Sequence, residues 1–137
     1  ARPLPLIVHI HGGGWMGGNK FPCPVTDMVL HGYAVASVGY RFSQQAKFPA
    51  QIQDCQAAIR WLREHREEYH LDAEKIGVVG GSAGGHLCAL VGTAGGTGAF
   101  PPIGGNEDQS DRVAAVCNIF VRRILRRWCG RRRRTRR

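Results

Sequence analysis

Long apolar runs are missing from this sequence of 137 residues. Glycines, histidines or charged residues interrupt each apolar stretch well before the roughly 20 residues that a membrane-spanning helix needs. A basic start followed by an apolar secretory segment is also missing, because Ala1 leads almost directly into the apolar stretch Leu4–Ile10. We therefore expect a soluble protein without a signal peptide and with its native N-terminus missing, and the compartment stays open.

The cysteines are irregularly placed and form no motif. The five cysteines are odd in number and widely spaced, and no Cys-x-x-Cys pair occurs among them. This spacing argues against a disulfide framework and against a zinc site. The histidines show no metal-ligand spacing either, so we expect no metal ion. Small buried thiols are the expected role of the cysteines.

Acidic residues are absent from the last sixteen residues, which hold ten arginines. Residues 1–121 hold nine Lys and Arg against all ten Asp and Glu, so the formal charge of +9 comes from the tail alone. Such a tail could bind the phosphates of a nucleic acid, and Trp128 among the arginines could stack on one of its bases. The body has neither a recognition helix nor a basic face, so nucleic acid is not the expected partner.

Apolar segments alternate with helix-like segments along residues 1–120. Apolar positions at three- and four-residue steps predict an amphipathic helix over Ala50–Tyr69. Residues Val25–His31 and His86–Thr93 are also compatible with helices. Short apolar strands are predicted at Leu6–Ile10, Tyr33–Val38, Ile76–Val79 and Val113–Phe120. This order predicts one α/β domain over residues 1–120, with a mostly parallel sheet and helices on both faces.

A candidate nucleophile lies between a predicted strand and a predicted helix. The motif Gly80-x-Ser82-x-Gly84 in this context indicates a nucleophile elbow, in which the serine occupies a sharp strained turn. Small residues two positions before and after Ser82 let the strand and the helix pass closely and lift the hydroxyl above the sheet. The helix N-terminus at Ser82 also favours negative charge that develops nearby.

A second glycine motif, His11-Gly12-Gly13-Gly14-Trp15, follows the first predicted strand. Backbone N–H groups of such a loop can turn toward a substrate oxygen because no Cβ is in the way. Two or three of them, together with the amide of Ala83, would hold a tetrahedral oxyanion, each donor contributing about 3 to 4 kcal/mol. His11 is expected to shape the loop rather than to transfer protons. Trp15 either walls an acyl pocket or simply packs.

The two motifs together resemble the hormone-sensitive-lipase-like esterases and the feruloyl-esterase-like (BD-FAE-type) α/β hydrolases. The resemblance covers residues 4–120 and also includes Tyr40-Arg41, Phe48-Pro49-Ala50 with Asp54, and Gly81 to Leu87. It implies Ser82 as the nucleophile of an esterase that acts on a small-molecule ester or acyl substrate without a cofactor. It further implies Gly13, Gly14 and Ala83 as oxyanion donors, with Gly12 supporting the loop.

The sequence departs from this family in the rest of the catalytic triad. The family order is Ser, then Asp or Glu, then His, but no histidine follows His86. His86 lies four residues after the serine on the same predicted helix, too close to act as its base, so a packing or hydrogen-bonding role is expected. Glu107, Asp108 and Asp111 come too early to be the acid. We expect the triad Asp and His to be absent, the fold to lack its C-terminal strands, and the chain as given to be inactive.

The Arg-rich tail at residues 121–137 replaces a segment that similar proteins usually have. They follow the last predicted strand with Phe-Gly-Pro-Thr-Asp-Leu, whereas Phe120 is followed here by Val-Arg-Arg-Ile-Leu. Losing one G from the codons GGT CCG ACG GAT CTT G gives GTC CGA CGG ATC TTG, which encodes those five residues. The hypothesis is that the tail is a frameshift product or disordered.

Two other functional classes stay open at this point. The chain could be a non-catalytic α/β-hydrolase-like interaction domain, or it could bind nucleic acid through the Arg-rich tail. Salt-dependent RNA binding would favour the tail, and a stable, ordered but inactive chain would favour the interaction domain. The sequence fixes neither the oligomeric state nor the acyl and alcohol specificity.

Overall fold

The computed structural model describes residues 2–119, so the predicted Arg-rich tail lies outside the described residues. The strands are β1 (Leu4–Ile10), β2 (Ala34–Val38), β3 (Leu71–Gly81) and β4 (Ala115–Ile119), and the helices are α1 (Ala50–Glu64), α2 (Ala83–Ala94) and a 3-10 helix (Thr26–His31). The strands form one parallel sheet in the order β2-β1-β3-β4. The predicted parallel α/β sheet is therefore confirmed.

The core lies between one face of this sheet and the two α-helices. Val8 of β1 pairs with Val78 of β3 in register, and Leu6 pairs with Ile76. Alternate side chains of a strand point to opposite faces, so these residues share the face that α1 and α2 cover. The helices contribute Ile52, Cys55, Ile59, Leu87, Cys88 and Val91, all fully buried. The three-residue and four-residue steps predicted for α1 are thus its buried stripe.

Two cysteines are part of this core. Cys55 and Cys88 are unpaired and buried. Burial raises the pKa of the Cys55 thiol and raises that of Cys88 to about 12. Both thiols therefore stay protonated and pack as small apolar groups.

Helix α1 ends earlier than the sequence predicts. It stops at Glu64 instead of Tyr69, and residues 65–70 form turns. The apolar stripe ends at Leu62, so a further turn of helix would bury nothing against the core. His70 has φ 57°, and the N–H of Leu71 donates to the carbonyl of Arg66 at 2.7 Å. The chain thereby reverses directly into β3.

The opposite face of the sheet carries the 3-10 helix. Val25 and Met28 line an apolar groove of about 600 Å³ together with Ile7 and Val79 of the central strands. Helices thus lie on both faces, but only a short one covers this face within residues 2–119. Residues 5–7 of β1, residues 75–79 of β3 and residues 114–117 at β4 line the groove, and Ser82 is not among its lining residues.

The long loop after α2 is fastened by polar side chains of α1. Arg60 is 3% exposed and donates to the carbonyls of Ile103 and Gly105. Arg63 donates to the carbonyl of Ser110 at 3.0 Å, and Gln53 donates to that of Pro101 at 2.8 Å. These side chains supply hydrogen-bond donors to the backbone carbonyls of the loop, which has no strand partner within residues 2–119 to supply them.

Candidate active site

Ser82 occupies the turn that joins β3 to α2. Its backbone has φ 54° and ψ −121°, a combination that non-glycine residues rarely adopt. The N–H of Ser82 donates to the carbonyl of Ile119 at 3.0 Å, and its own carbonyl accepts from the N–H of His86 at 3.0 Å. These bonds fix the strained turn, while Ser82 itself is exposed.

Gly80 and Gly84 lie against the end of β1. A Cβ on Gly84 would lie 2.0 Å from the carbonyl oxygen of Ile10, and one on Gly80 would lie 2.5 Å from the same atom. Contacts under 3.0 Å leave no space for a side chain. Within residues 2–119, a Cβ on Gly81 would meet the oxygen of Ile119 alone, at the ordinary contact distance of 3.8 Å. Packing therefore requires glycine at the two motif positions and not between them.

The glycine loop after β1 lies directly against this turn. A Cβ on Gly12 would lie 3.5 Å from the Cβ of Ser82. Gly13 and Gly14 have φ of 119° and 62°, where glycine is favoured. The carbonyl of Gly13 accepts from the N–H of Gly17 at 3.1 Å, which closes the loop as a turn. The strand pairing of β1 with β3 thus brings the two glycine motifs together.

Several backbone N–H groups in this loop and turn have no hydrogen-bond acceptor within residues 2–119, and those of Gly13, Gly14 and Ala83 are among them. Ala83 begins α2, and the first N–H groups of a helix have no partner inside the helix. An unpaired N–H is rare unless water or a ligand accepts from it. These groups are available to an oxygen atom that does not belong to the described chain.

His11 and Tyr40 hold the glycine loop in place. The buried His11 ring stacks on the Tyr40 ring with centroids 4.5 Å apart. The Nδ1 of His11 lies 2.7 Å from the carbonyl oxygen of Gly12, so this nitrogen carries the proton and donates it. The Tyr40 hydroxyl donates to the carbonyl of His11 at 2.9 Å. Burial raises the pKa of Tyr40 to about 12, so its hydroxyl remains a donor.

Arg41 and Asp54 connect the loop after β2 with the start of α1. The guanidinium of Arg41 donates twice to the carboxylate, and the backbone N–H of Arg41 also donates to it at 2.9 Å. Arg41 is exposed, and the Asp54 side chain is partly buried. The pair fixes the segment that carries Tyr40 and does not reach the Ser82 turn within the contacts described. Its role there is structural.

Trp15 and His86 pack edge to face, with ring centroids 5.3 Å apart and an interplanar angle of 87°. The Nδ1 of His86 is buried and has no hydrogen-bond partner within residues 2–119. Burial lowers the pKa of His86, so the ring is neutral at neutral pH. No hydrogen bond joins this ring to the Ser82 hydroxyl in the described residues, and the arrangement does not pair them as nucleophile and base.

The carboxylates that follow Ser82 lie on the loop packed against α1. Asp111 accepts from the N–H of Gly96 at 2.7 Å, and Glu107 and Asp108 are exposed. Within residues 2–119, no cluster of His, Cys, Asp or Glu could hold a metal ion. No helix in that range has the length and apolar character to cross a membrane.

Acid is expected to destabilise the fold through His9 and His86. His9 is buried with its Nδ1 3.1 Å from the Oγ of Ser37, and burial, with a smaller effect of His11, lowers its pKa. A histidine with a lowered folded pKa takes up a proton first in the unfolded state. Its contribution to the free energy of unfolding is complete above the pKa of the unfolded state, about 6.5. That contribution is lost as the pH falls toward the pKa of the folded state.

Urea unfolding between about pH 8 and pH 5 measures this effect. The unfolding midpoint should fall as the pH falls, and His86→Gln should reduce that slope. His31→Gln, at an exposed position of the 3-10 helix, is the matched control and should keep the full slope. A midpoint that does not change with pH would contradict the assignment of buried neutral histidines.

The chain has clear similarity to known proteins. The sequence model of the BD-FAE family matches residues 1–133. The carboxylesterase NlhH of Mycobacterium tuberculosis is 41% identical over 91 residues, which are 64% of this chain and 28% of NlhH. Esterase LipQ of the same organism is 33% identical over 117 residues, 83% of this chain and 28% of LipQ. The chain thus spans 28% of the length of each of these relatives.

Solved structures show the same similarity in three dimensions. A bifunctional GH43-CE protein of Bacteroides eggerthii superposes with a TM-score of 0.80 at 35% identity, over 86% of this chain and 19% of that protein. The propionate-bound esterase Est2 of Thermogutta terrifontis gives a TM-score of 0.73 at 29% identity, over 85% of this chain and 43% of the esterase.

Proposed function

Since this chain belongs to the BD-FAE family of α/β hydrolases, we propose that it supplies the nucleophile and the oxyanion loop of an enzyme that hydrolyses carboxylic esters. Ser82 attacks the ester carbonyl and forms an acyl-enzyme, which water then hydrolyses. The observation that carries this proposal is the exposed Ser82, held in a strained turn so close to the glycine loop that a Cβ on Gly12 would lie 3.5 Å from the Ser82 Cβ.

The N–H groups of Gly13, Gly14 and Ala83 are proposed to bind the oxyanion. Within residues 2–119 they have no acceptor of their own, so they can donate to the oxygen that becomes negative as Ser82 attacks. Groups fixed in advance need no reorganisation during the reaction, and each contributes about 3 to 4 kcal/mol in comparable sites. The N-terminus of α2 adds a favourable partial charge at the same place.

The proton transfer needs groups that these 137 residues do not supply. No histidine follows His86, and the His86 ring packs against Trp15. A serine without an adjacent base is a weak nucleophile. We propose that this chain alone acylates slowly and turns over very little, with residual catalysis from the oxyanion loop. An acid and a histidine, in the order Ser, acid, His, would complete the site.

The substrate class proposed is a carboxylic ester with a short acyl group. Similar solved structures include Est2 with propionate bound and Est2 with butyrate bound. Both ligands are short-chain carboxylates. Acyl transfer of this kind uses no metal and no organic cofactor. We propose neither for this site.

The experiment that tests the proposal locates a covalent adduct. The chain is incubated with a fluorophosphonate probe, with and without imidazole as an external base, then digested and mapped by tandem mass spectrometry. We expect one adduct, on the peptide that contains Ser82, with a yield that rises with imidazole. A folded chain that forms no adduct, or forms it equally at exposed serines such as Ser43, would refute the nucleophile and favour a non-catalytic interaction domain.

A further inference from the structure

Trp15 has a backbone conformation that needs an explanation. Its φ is 60°, directly after Gly14 at 62°. A bulky residue rarely adopts this conformation, which persists only where neighbouring contacts impose it. Here the carbonyl of Trp15 accepts from the N–H of Ser43 at 2.8 Å, and the carbonyl of Met16 accepts from Gln44 at the same distance. The loop after β2 therefore holds the tryptophan in place.

The strained backbone brings the indole to the face of α2 that carries Ser82. His86 follows Ser82 by four residues, and residues four apart share one face of a helix. The Trp15 and His86 rings pack edge to face, with centroids 5.3 Å apart. The indole therefore packs against the first turn of α2, on the helix face that includes the position of Ser82.

The order of the strands shows on which side of Ser82 the Trp15 indole lies. Trp15 belongs to the loop after β1, and β1 and β4 flank β3 on opposite sides. In the triad order of α/β hydrolases the base follows the nucleophile in the chain. The strand that follows β3 is β4, on the side of β3 opposite to β1. The base is therefore expected on the β4 side of Ser82. Because the base returns its proton to the departing alcohol, the alcohol also lies on the β4 side. The acyl group then lies on the β1 side.

We propose that Trp15, positioned by its edge contact with His86, is the wall against which the acyl group of the ester packs, and that it limits the length of that group. The inference rests on the proposed function. It assigns a specificity role to the indole and a positioning role to the imidazole. The His86 nitrogen is not needed for this contact, because an aromatic edge against an indole is sufficient.

The test measures acylation of Ser82 by p-nitrophenyl esters, with imidazole as external base and intact-mass detection of the acyl adduct. Acetate and octanoate esters vary the acyl group at constant alcohol, and phenyl and naphthyl acetates vary the alcohol at constant acyl group. Trp15→Ala should raise the octanoate-to-acetate ratio of rates by about tenfold or more and leave the ratio for the two alcohols unchanged. The octanoate-to-acetate ratio of Trp15→Phe should lie between those of the wild type and Trp15→Ala. His86→Phe should keep both wild-type ratios.

Met16→Ala is the matched control, because Met16 is the next residue of the same loop and its side chain is 61% exposed. It should change neither ratio. If Trp15→Ala leaves the octanoate-to-acetate ratio unchanged, or changes only the ratio for the two alcohols, Trp15 is not the wall of the acyl site. That result does not contradict Ser82 as the nucleophile. Failure of the wild-type chain to acylate Ser82 with any ester overturns the proposed function itself. Circular dichroism confirms that each variant is folded before its rates are compared.

Discussion

Ser82→Ala is expected to abolish the covalent adduct completely. The substitution removes the hydroxyl oxygen that we propose forms the bond to the acyl or phosphonyl group. It should leave the fold intact, because the Ser82 side chain makes no hydrogen bond within residues 2–119 and a Cβ is kept. Alanine retains the same strained φ, so the free energy of unfolding should change by less than about 0.5 kcal/mol. The effect is therefore chemical and not structural.

Mass spectrometry of the labelled chain checks this result beside a urea titration of the same variant. Ser43→Ala is the matched control, because the Ser43 hydroxyl contacts only the neighbouring Gln44 side chain at 3.4 Å. That variant should label as the wild-type chain does. If Ser82→Ala still acquires one adduct per chain at an unchanged rate, another residue is the nucleophile.

Gly84→Ala is expected to have the largest effect on stability. The added Cβ would lie 2.0 Å from the carbonyl oxygen of Ile10 and 2.6 Å from that of His11. Both atoms are backbone, so neither can rotate away. Helix α2 would have to move off the sheet and uncover Leu87 and Val91, which are fully buried. Alanine's better helix propensity contributes only about 1 kcal/mol, which a displacement of the core exceeds.

We expect Gly84→Ala to lose about 3 kcal/mol or more of the free energy of unfolding, or to fail to fold, as measured by urea denaturation. Gly81→Ala is the matched control within the same motif, since its Cβ would make an ordinary contact at 3.8 Å. Its unfolding midpoint should stay close to that of the wild type. Equal stability of the two variants would show that the close approach of α2 to β1 is not required.

Local patterns in the sequence were enough to predict the elements that surround Ser82. The apolar run before Gly80 predicts the strand, and the spacing of Ile52, Cys55 and Ile59 predicts the buried stripe of α1. The glycines around Ser82 predict a tight strand-to-helix turn, which the structure contains. These patterns extend over one strand or two helical turns, so nearby residues alone produce them. The nucleophile and oxyanion roles themselves remain predictions until the adduct is mapped.

Contacts between distant segments could not be predicted in the same way. Nothing in the sequence near Arg60 shows that its guanidinium is buried under the carbonyls of the loop after α2. The end of α1 at Glu64 was likewise missed, because helical propensity continues beyond the point where the core stops.

By itself the sequence determined the parallel α/β class, the family and the strained turn at Ser82, because apolar period and glycine spacing act locally. Only the tertiary structure decided that Tyr40 supports the glycine loop through His11, and that Trp15 packs on His86, four residues after Ser82. Those contacts join loops after different strands. They depend on which strands pair and in what register, and no single segment carries that information.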